Sequence, residues 1–294
     1  MTGGGTAEFG TKLIDLTGGN RTCSPIDPVP SNPLAPPTLM NQDGEPVVCA
    51  YRVSLCYRLL PAQRTWSEVT AIDFRSTYNG AALVGDPALR NYWIVGGGAF
   101  WENHTASNFY NGDNQITQSQ RVVADDVYGD CFLALSESEQ LLVNEDTWII
   151  SNGTWTKLTA NFQWDSTIPT ARRSFQFGIC GLVHDQDGNP KLAVVGGGFA
   201  GSIYTQIFDI ATRSWRKGPE LPGIITQSTS VQAGRSFLVV GGLTKIGDNW
   251  WFTQIDTILE FSPDREEWIL RPEKLPLVNY DAYATMVNKD VIGC

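Results

Sequence analysis

Short apolar runs rich in Val, Ile and Leu alternate along this chain with breaks built from Gly, Pro, Asn and Asp, and no long stretch keeps the spacing of an amphipathic helix. That pattern predicts strands and turns throughout. Two kinds of run recur. In the first, a β-branched pair ends in two glycines: Ile94-Val95-Gly96-Gly97, Val194-Val195-Gly196-Gly197 and Val239-Val240-Gly241-Gly242. Worn copies stand at Val47-Val48-Cys49-Ala50 and Leu142-Val143-Asn144-Glu145, and end fragments at Met1-Thr2-Gly3-Gly4 and Val291-Ile292-Gly293-Cys294. In the second, an aromatic residue or leucine is followed seven positions later by tryptophan. The best copies are Phe208…Trp215 and Phe261…Trp268, then Leu59…Trp66 and Trp148…Trp155; Leu16…Cys23 and Phe109…Ile116 keep the spacing without the tryptophan.

The Gly-Gly runs recur every 45 to 52 residues. A repeat of that length in an all-strand pattern marks a propeller array, each unit being one small sheet. Val-Val and Ile-Val runs suit strands buried on both faces, and a glycine pair permits a sharp turn or a close backbone approach. The seven-residue step reads as strand, tight turn, strand, as in Phe208-Asp209-Ile210-Ala211-Thr212-Arg213-Ser214-Trp215. Each unit is thus expected to be a four-stranded antiparallel blade that hides its faces only against its neighbours. The expected blades are 38–70, 78–120, 127–159, 172–218 and 226–272. A further blade, blade one, is closed by strands from both termini, 1–25 plus 277–294, giving a single six-bladed domain over 1–294.

These residues resemble the kelch repeat family, whose unit carries a strand ending in Gly-Gly and then a spaced aromatic and tryptophan. The likeness spans nearly the whole chain and is strongest in the fifth and sixth units. It implies a six-bladed kelch-type β-propeller.

Composition narrows the partners. The net charge of −10, from 21 basic and 31 acidic residues, argues against nucleic acid and anionic membrane, which need a basic footprint. No apolar run approaches the roughly 18 residues that span a bilayer, and no charged-then-apolar leader opens the sequence. The six cysteines allow full pairing in any of 15 ways. Cys131 and Cys180 fall on the innermost strands of adjacent blades, Cys49 and Cys56 on neighbouring strands of one blade. At least one disulfide is expected, which places the chain in an extracellular or lumenal setting ahead of the cytoplasm. Three glycosylation acceptor patterns, at Asn20, Asn103 and Asn152, are what chance gives in a chain this rich in Asn, Ser and Thr.

Catalytic chemistry finds little purchase. His104 and His184 are the two histidines, and neither has the context of a triad or a metal site. Asp185-Gln186-Asp187-Gly188 hints at a calcium loop, but its glycine comes too early and no glutamate closes it, so it reads as a hairpin turn. Some kelch-like propellers are copper oxidases; the residues of that site have no counterpart here, and no cofactor is expected. Loops carry recognition because they escape packing constraints. The loop after the Gly-Gly run brings Trp101 and His104 in blade three, and Trp250 and Trp251 in blade six; loops entering blades bring Arg75, Arg172 and Arg173. Trp and Arg are the usual anchors of interfaces. The expectation is a monomeric, non-catalytic scaffold for a protein or peptide partner. The alternative is an enzyme or carbohydrate-binding propeller with its site on the central axis.

Overall fold

A computed structural model of the chain describes residues 26–27, 30, 38–42, 45–50, 55–71, 80–81, 83–84, 92–95, 106–111, 115–121, 131–136, 139–143, 146–151, 154–159, 162–163, 178–197, 202–245, 252–276 and 278. Every regular element among them is a β-strand, and five four-stranded antiparallel meanders follow one another in chain order. Of the two end segments expected to make blade one, residues 1–25 and 277–294, only residue 278 is among the described residues.

The first sheet is β1 (Thr38–Gln42), β2 (Glu45–Ala50), β3 (Leu55–Leu60) and β4 (Thr65–Ala71). The second opens with β5 (Gly80–Ala81); the chain then makes the short β6 (Leu83–Val84) before β7 (Tyr92–Val95), β8 (Ala106–Asn111) and β9 (Gln115–Arg121) complete it. The third is β10 (Cys131–Ala134), β11 (Glu139–Val143), β12 (Thr147–Ser151) and β13 (Thr154–Lys157), with β6 added to β10 in parallel. The fourth is β14 (Ile179–His184), β15 (Pro190–Val195), β16 (Thr205–Asp209) and β17 (Ser214–Lys217). The fifth begins with β18 (Thr229–Ala233) and β19 (Ser236–Val240). A separate hairpin of β20 (Leu243–Lys245) and β21 (Phe252–Gln254) follows, and then β22 (Thr257–Ser262) and β23 (Glu267–Lys274).

First strands neighbour first strands: β1 lies beside β5, β5 beside β10, and β14 beside β18. Between β10 and β14 the link is covalent, a Cys131–Cys180 disulfide with Cα atoms 5.7 Å apart. Cys56 is also disulfide-bonded, and no cysteine among the described residues is free. Bonded cysteines hint at an oxidising compartment.

The fourth sheet explains why the apolar runs are unbroken. Successive side chains of a strand point to opposite faces. Cys180, Leu182, Leu192, Val194 and Phe208 face the third sheet, where they meet Leu133, Leu141 and Ile149. Their alternates Val183, Ala193, Val195 and Ile207 face the fifth sheet and meet Phe237, Val239 and Phe261. Both faces are therefore core, and each large side chain so buried stabilises the fold by about 1.5–3 kcal/mol. Gly181 is the exception that makes the fit: a Cβ there would come within 2.0 Å of the Phe237 ring.

The repeated tryptophan has a joint to make. Trp215 on β17 donates its indole N–H to Thr147 Oγ1 at the start of β12, at 2.9 Å. One sheet on, Trp268 of β23 donates to Thr205 Oγ1 at the start of β16, at 3.2 Å, and to the Pro219 carbonyl. Trp66 of β4 donates to the Asp27 carbonyl, and Ile26 beside it is buried against Tyr57, Leu59 and Trp66. Each tryptophan thus ties its own sheet to the segment or sheet before it.

The seven-residue step also acquires a backbone meaning. Leu59 sits opposite Trp66, Phe208 opposite Trp215, and Phe261 opposite Trp268. In each case a four-residue turn ends in a left-handed residue, Arg64, Arg213 or Glu266, with φ of 58°, 54° and 49°. The fourth copy corrects the expectation. Trp148 is opposite Lys157, and Trp155 is opposite Ile150, because only residues 152 and 153 connect β12 to β13. The shorter turn moves the true anchor from Trp148 to Ile150. Phe109…Ile116 fails likewise: Phe109 pairs with Gln118, and the register shifts at Tyr110.

Candidate functional site

An antiparallel meander has two ends. Its first-to-second and third-to-fourth turns lie at one; its second-to-third connection and its links to neighbouring sheets lie at the other. The Gly-Gly runs sit at this second end, and the fourth and fifth sheets show why they are glycine. Gly196 and Gly197 have φ of 66° and 82°, Gly241 and Gly242 of 61° and 103°, a region L-residues with side chains rarely enter. Space is a second constraint. A Cβ on Gly196 would lie 2.7 Å from the Ile225 carbonyl oxygen, and one on Gly242 would lie 2.3 Å from Ser228 Oγ and 2.8 Å from the Thr226 oxygen.

What presses on the glycines is the link between the two sheets. Gly197 donates its N–H to the Ile225 carbonyl at 3.2 Å; Thr226 and Leu243 exchange two backbone hydrogen bonds of 3.0 and 2.8 Å. Ser202 and Ile225 form another bridge. Ile179, Val195, Leu221, Ile225 and Val239 close around this link, with Ser228 beside them, and leave no space that a water molecule could enter. The Ser228 hydroxyl is buried and has no hydrogen-bond partner. Beyond the glycines the fifth sheet grows the β20–β21 hairpin, anchored at its base by Ile255 N–H donating to the Gly242 carbonyl at 3.0 Å. This segment was expected to be a loop; its stem is paired strand, with Lys245 opposite Phe252.

Trp101, His104, Arg75, Arg172, Arg173, Trp250 and Trp251 all lie outside the described residues. Their attachment points are described. Trp101 and His104 fall between Val95, the last residue of β7, and Ala106, the first of β8; Trp250 and Trp251 fall between β20 and β21. Arg75 follows β4 and precedes β5, and Arg172 and Arg173 precede β14. Every one of these segments begins or finishes at the Gly-Gly end of its sheet.

The opposite end is ionic. His184 closes β14 opposite Pro190, and its backbone N–H donates to the Arg235 carbonyl at 2.9 Å. Residues 185–189 are the hairpin turn expected of this run, and they make a five-residue connection between β14 and β15. Asp185 organises it: Oδ1 accepts from the backbone N–H of Asp187 at 3.0 Å and of Asn189 at 2.8 Å. Asp209 does the same for Thr212 at 2.8 Å. Lys191 stands between them, 3.3 Å from each carboxylate. The backbone N–H of Asn189 holds the Asp185 carboxyl below the usual carboxylate range, and that of Thr212 does so for Asp209, with Lys191 assisting both. The Asp185 oxygens are thus engaged by the turn itself. Among the described residues no group of three His, Cys, Asp or Glu side chains could hold a metal ion.

No family model matches the chain, and no curated protein matches it.

Proposed function

We propose that the chain is a six-bladed kelch-type β-propeller whose Gly-Gly end is a non-catalytic docking face for a protein or peptide in an extracellular or lumenal setting. The five meanders are blades two to six, and residues from both termini complete blade one. Support comes from the serial four-stranded sheets, from the two-sided core of the fourth sheet, and from the succession of neighbouring first strands. One observation carries the binding role. The segments bearing Trp101, His104, Arg75, Arg172, Arg173, Trp250 and Trp251 all attach at one kind of sheet end, and one of them rises on a paired stem. Side chains on rigidly rooted loops lose less freedom on binding than those on free ones.

Panning a displayed random-peptide library against the purified chain tests this. Recovered peptides should lose binding to Trp250→Ala/Trp251→Ala or Arg172→Ala/Arg173→Ala variants whose melting temperatures are unchanged. Peptides that bind these variants as well as the parent, or binding only to oligosaccharides on a glycan array, would overturn the reading in favour of a site elsewhere.

A further inference from the structure

We infer that Cys56 is bonded to Cys49, as a cross-strand disulfide that locks the second-to-third connection of the first sheet. Cys56 is disulfide-bonded and fully buried. Cys49, near the end of β2, lies directly opposite it on β3. Directly opposed residues of an antiparallel pair have Cα atoms about 4.5–5.5 Å apart, within the roughly 4.4–6.8 Å that a disulfide spans. The faces agree as well, since opposed residues share a face and successive ones alternate. Val48 and Tyr57, the next pair along, belong to the face that buries Ile26, Leu59 and Trp66, so positions 49 and 56 fall on the other. Cys23 stands three residues before Ile26, in the segment that meets the face Cys56 does not share.

The pair stands where the repeat changes. In the fourth and fifth sheets the second strand gives way to a glycine pair with positive φ, beginning at Gly196 and Gly241. The first sheet has Cys49-Ala50 at those positions, and both are still paired strand, opposite Cys56 and Leu55. Residues 51–54 alone connect β2 to β3, at the Gly-Gly end of the sheet. On its other side β3 shifts register against β4 between Cys56 and Tyr57, and such an irregularity disrupts the ladder locally. A bond at this rung holds the β2–β3 register, in which a slip of one residue would exchange the faces of Val47 and Val48. In forming it the two thiols give up two protons and two electrons to a partner disulfide, which leaves as a dithiol, and the Sγ–Sγ bond is made. The inference stands on register and on the bonded state of Cys56, and it is independent of the docking role.

The full chain, secreted from a eukaryotic host and purified without reductant, is alkylated in denaturant. It is then cut by trypsin together with a protease that cleaves before Asp, and mapped by mass. Fragment 43–52 should appear joined to fragment 53–58, and the two should separate on reduction. Fragment 53–58 joined instead to a fragment carrying Cys23 or Cys294, or carrying alkylated Cys56, overturns the pairing. In a Cys49→Ala/Cys56→Ala variant the amides of Val47, Val48, Tyr57 and Arg58 should exchange with deuterium about tenfold faster or more, the ring-closure entropy having been lost. Parental exchange at those amides overturns the bond's part in holding the register.

Discussion

Replacing Cys131 and Cys180 together by alanine removes the one covalent bond described between sheets. The bond joins residues 49 apart in sequence, which is about one repeat. Loop-closure entropy for a ring of that length gives about 4 kcal/mol of stabilisation through the unfolded chain. Both cysteines are buried within the core shared by the third and fourth sheets, so the loss of two sulfur atoms adds to the cost. Against a typical net stability of about 5–15 kcal/mol this is a large share. Equilibrium urea unfolding followed by tryptophan fluorescence reads it directly. With a slope of about 3 kcal/mol/M, the midpoint should fall by more than roughly 1 M. Trp215 packs in the same core and hydrogen-bonds across this interface, so its emission reports the seam that loses the bond. A variant whose midpoint matches the parent would show that the first strands are held without the disulfide and would refute the reasoning.

Trp215→Phe should lower stability by about 1–2 kcal/mol in thermal melts, because Thr147, only 2% exposed, loses its indole donor; adding Thr147→Val should recover part of the loss. Gly242→Ala should destabilise by about 3 kcal/mol or more, since φ of 103° and contact with Ser228 Oγ and the Thr226 carbonyl both oppose a side chain; soluble protein with parental stability would contradict it. Arg213→Gly should raise stability by about 0.5–1 kcal/mol by relieving its left-handed backbone, less the few tenths of an exposed ion pair with Glu139. The carboxyls of Asp185 and Asp209 are held below their unfolded values, so their contribution is complete above the unfolded carboxylate range. It is lost as pH falls through the lower folded values; acid titrations of Asp209→Asn should show a shallower decline than the parent.

The repeat pattern made strand positions legible because a strand buried on two faces has an apolar residue at every position, and Val194-Val195 and Val239-Val240 are such strands. Turn length was legible only where it was constant. A four-residue turn joins the paired strands in Phe208…Trp215, whereas the two-residue connection at 152 and 153 shifted the pairing and made Trp148 a false match. Contacts between units left no local signal. Gln232 brackets the backbone N–H and carbonyl of Leu182, both at 3.0 Å, across 50 residues, and nothing around either residue announces it. Gln206 does the same for Gln163. The parallel pairing of β6 with β10 was equally silent, since two-residue strands carry no period. At the candidate docking face, the sequence named the side chains and the strands supplied their roots, while the glycine geometry beneath them came from backbone approach distances that spacing does not encode.

The stapled pair of first strands has a mechanical corollary. Under a steady pull on the two chain ends, sheets joined only to their neighbours should give way singly, each releasing about 160 Å of slack for a repeat of some 47 residues at roughly 3.5 Å apiece. The stretch from Cys131 to Cys180 cannot pay out while its sulfurs remain joined. A force–extension trace in oxidant should therefore come up one tooth short of the same trace recorded in reductant.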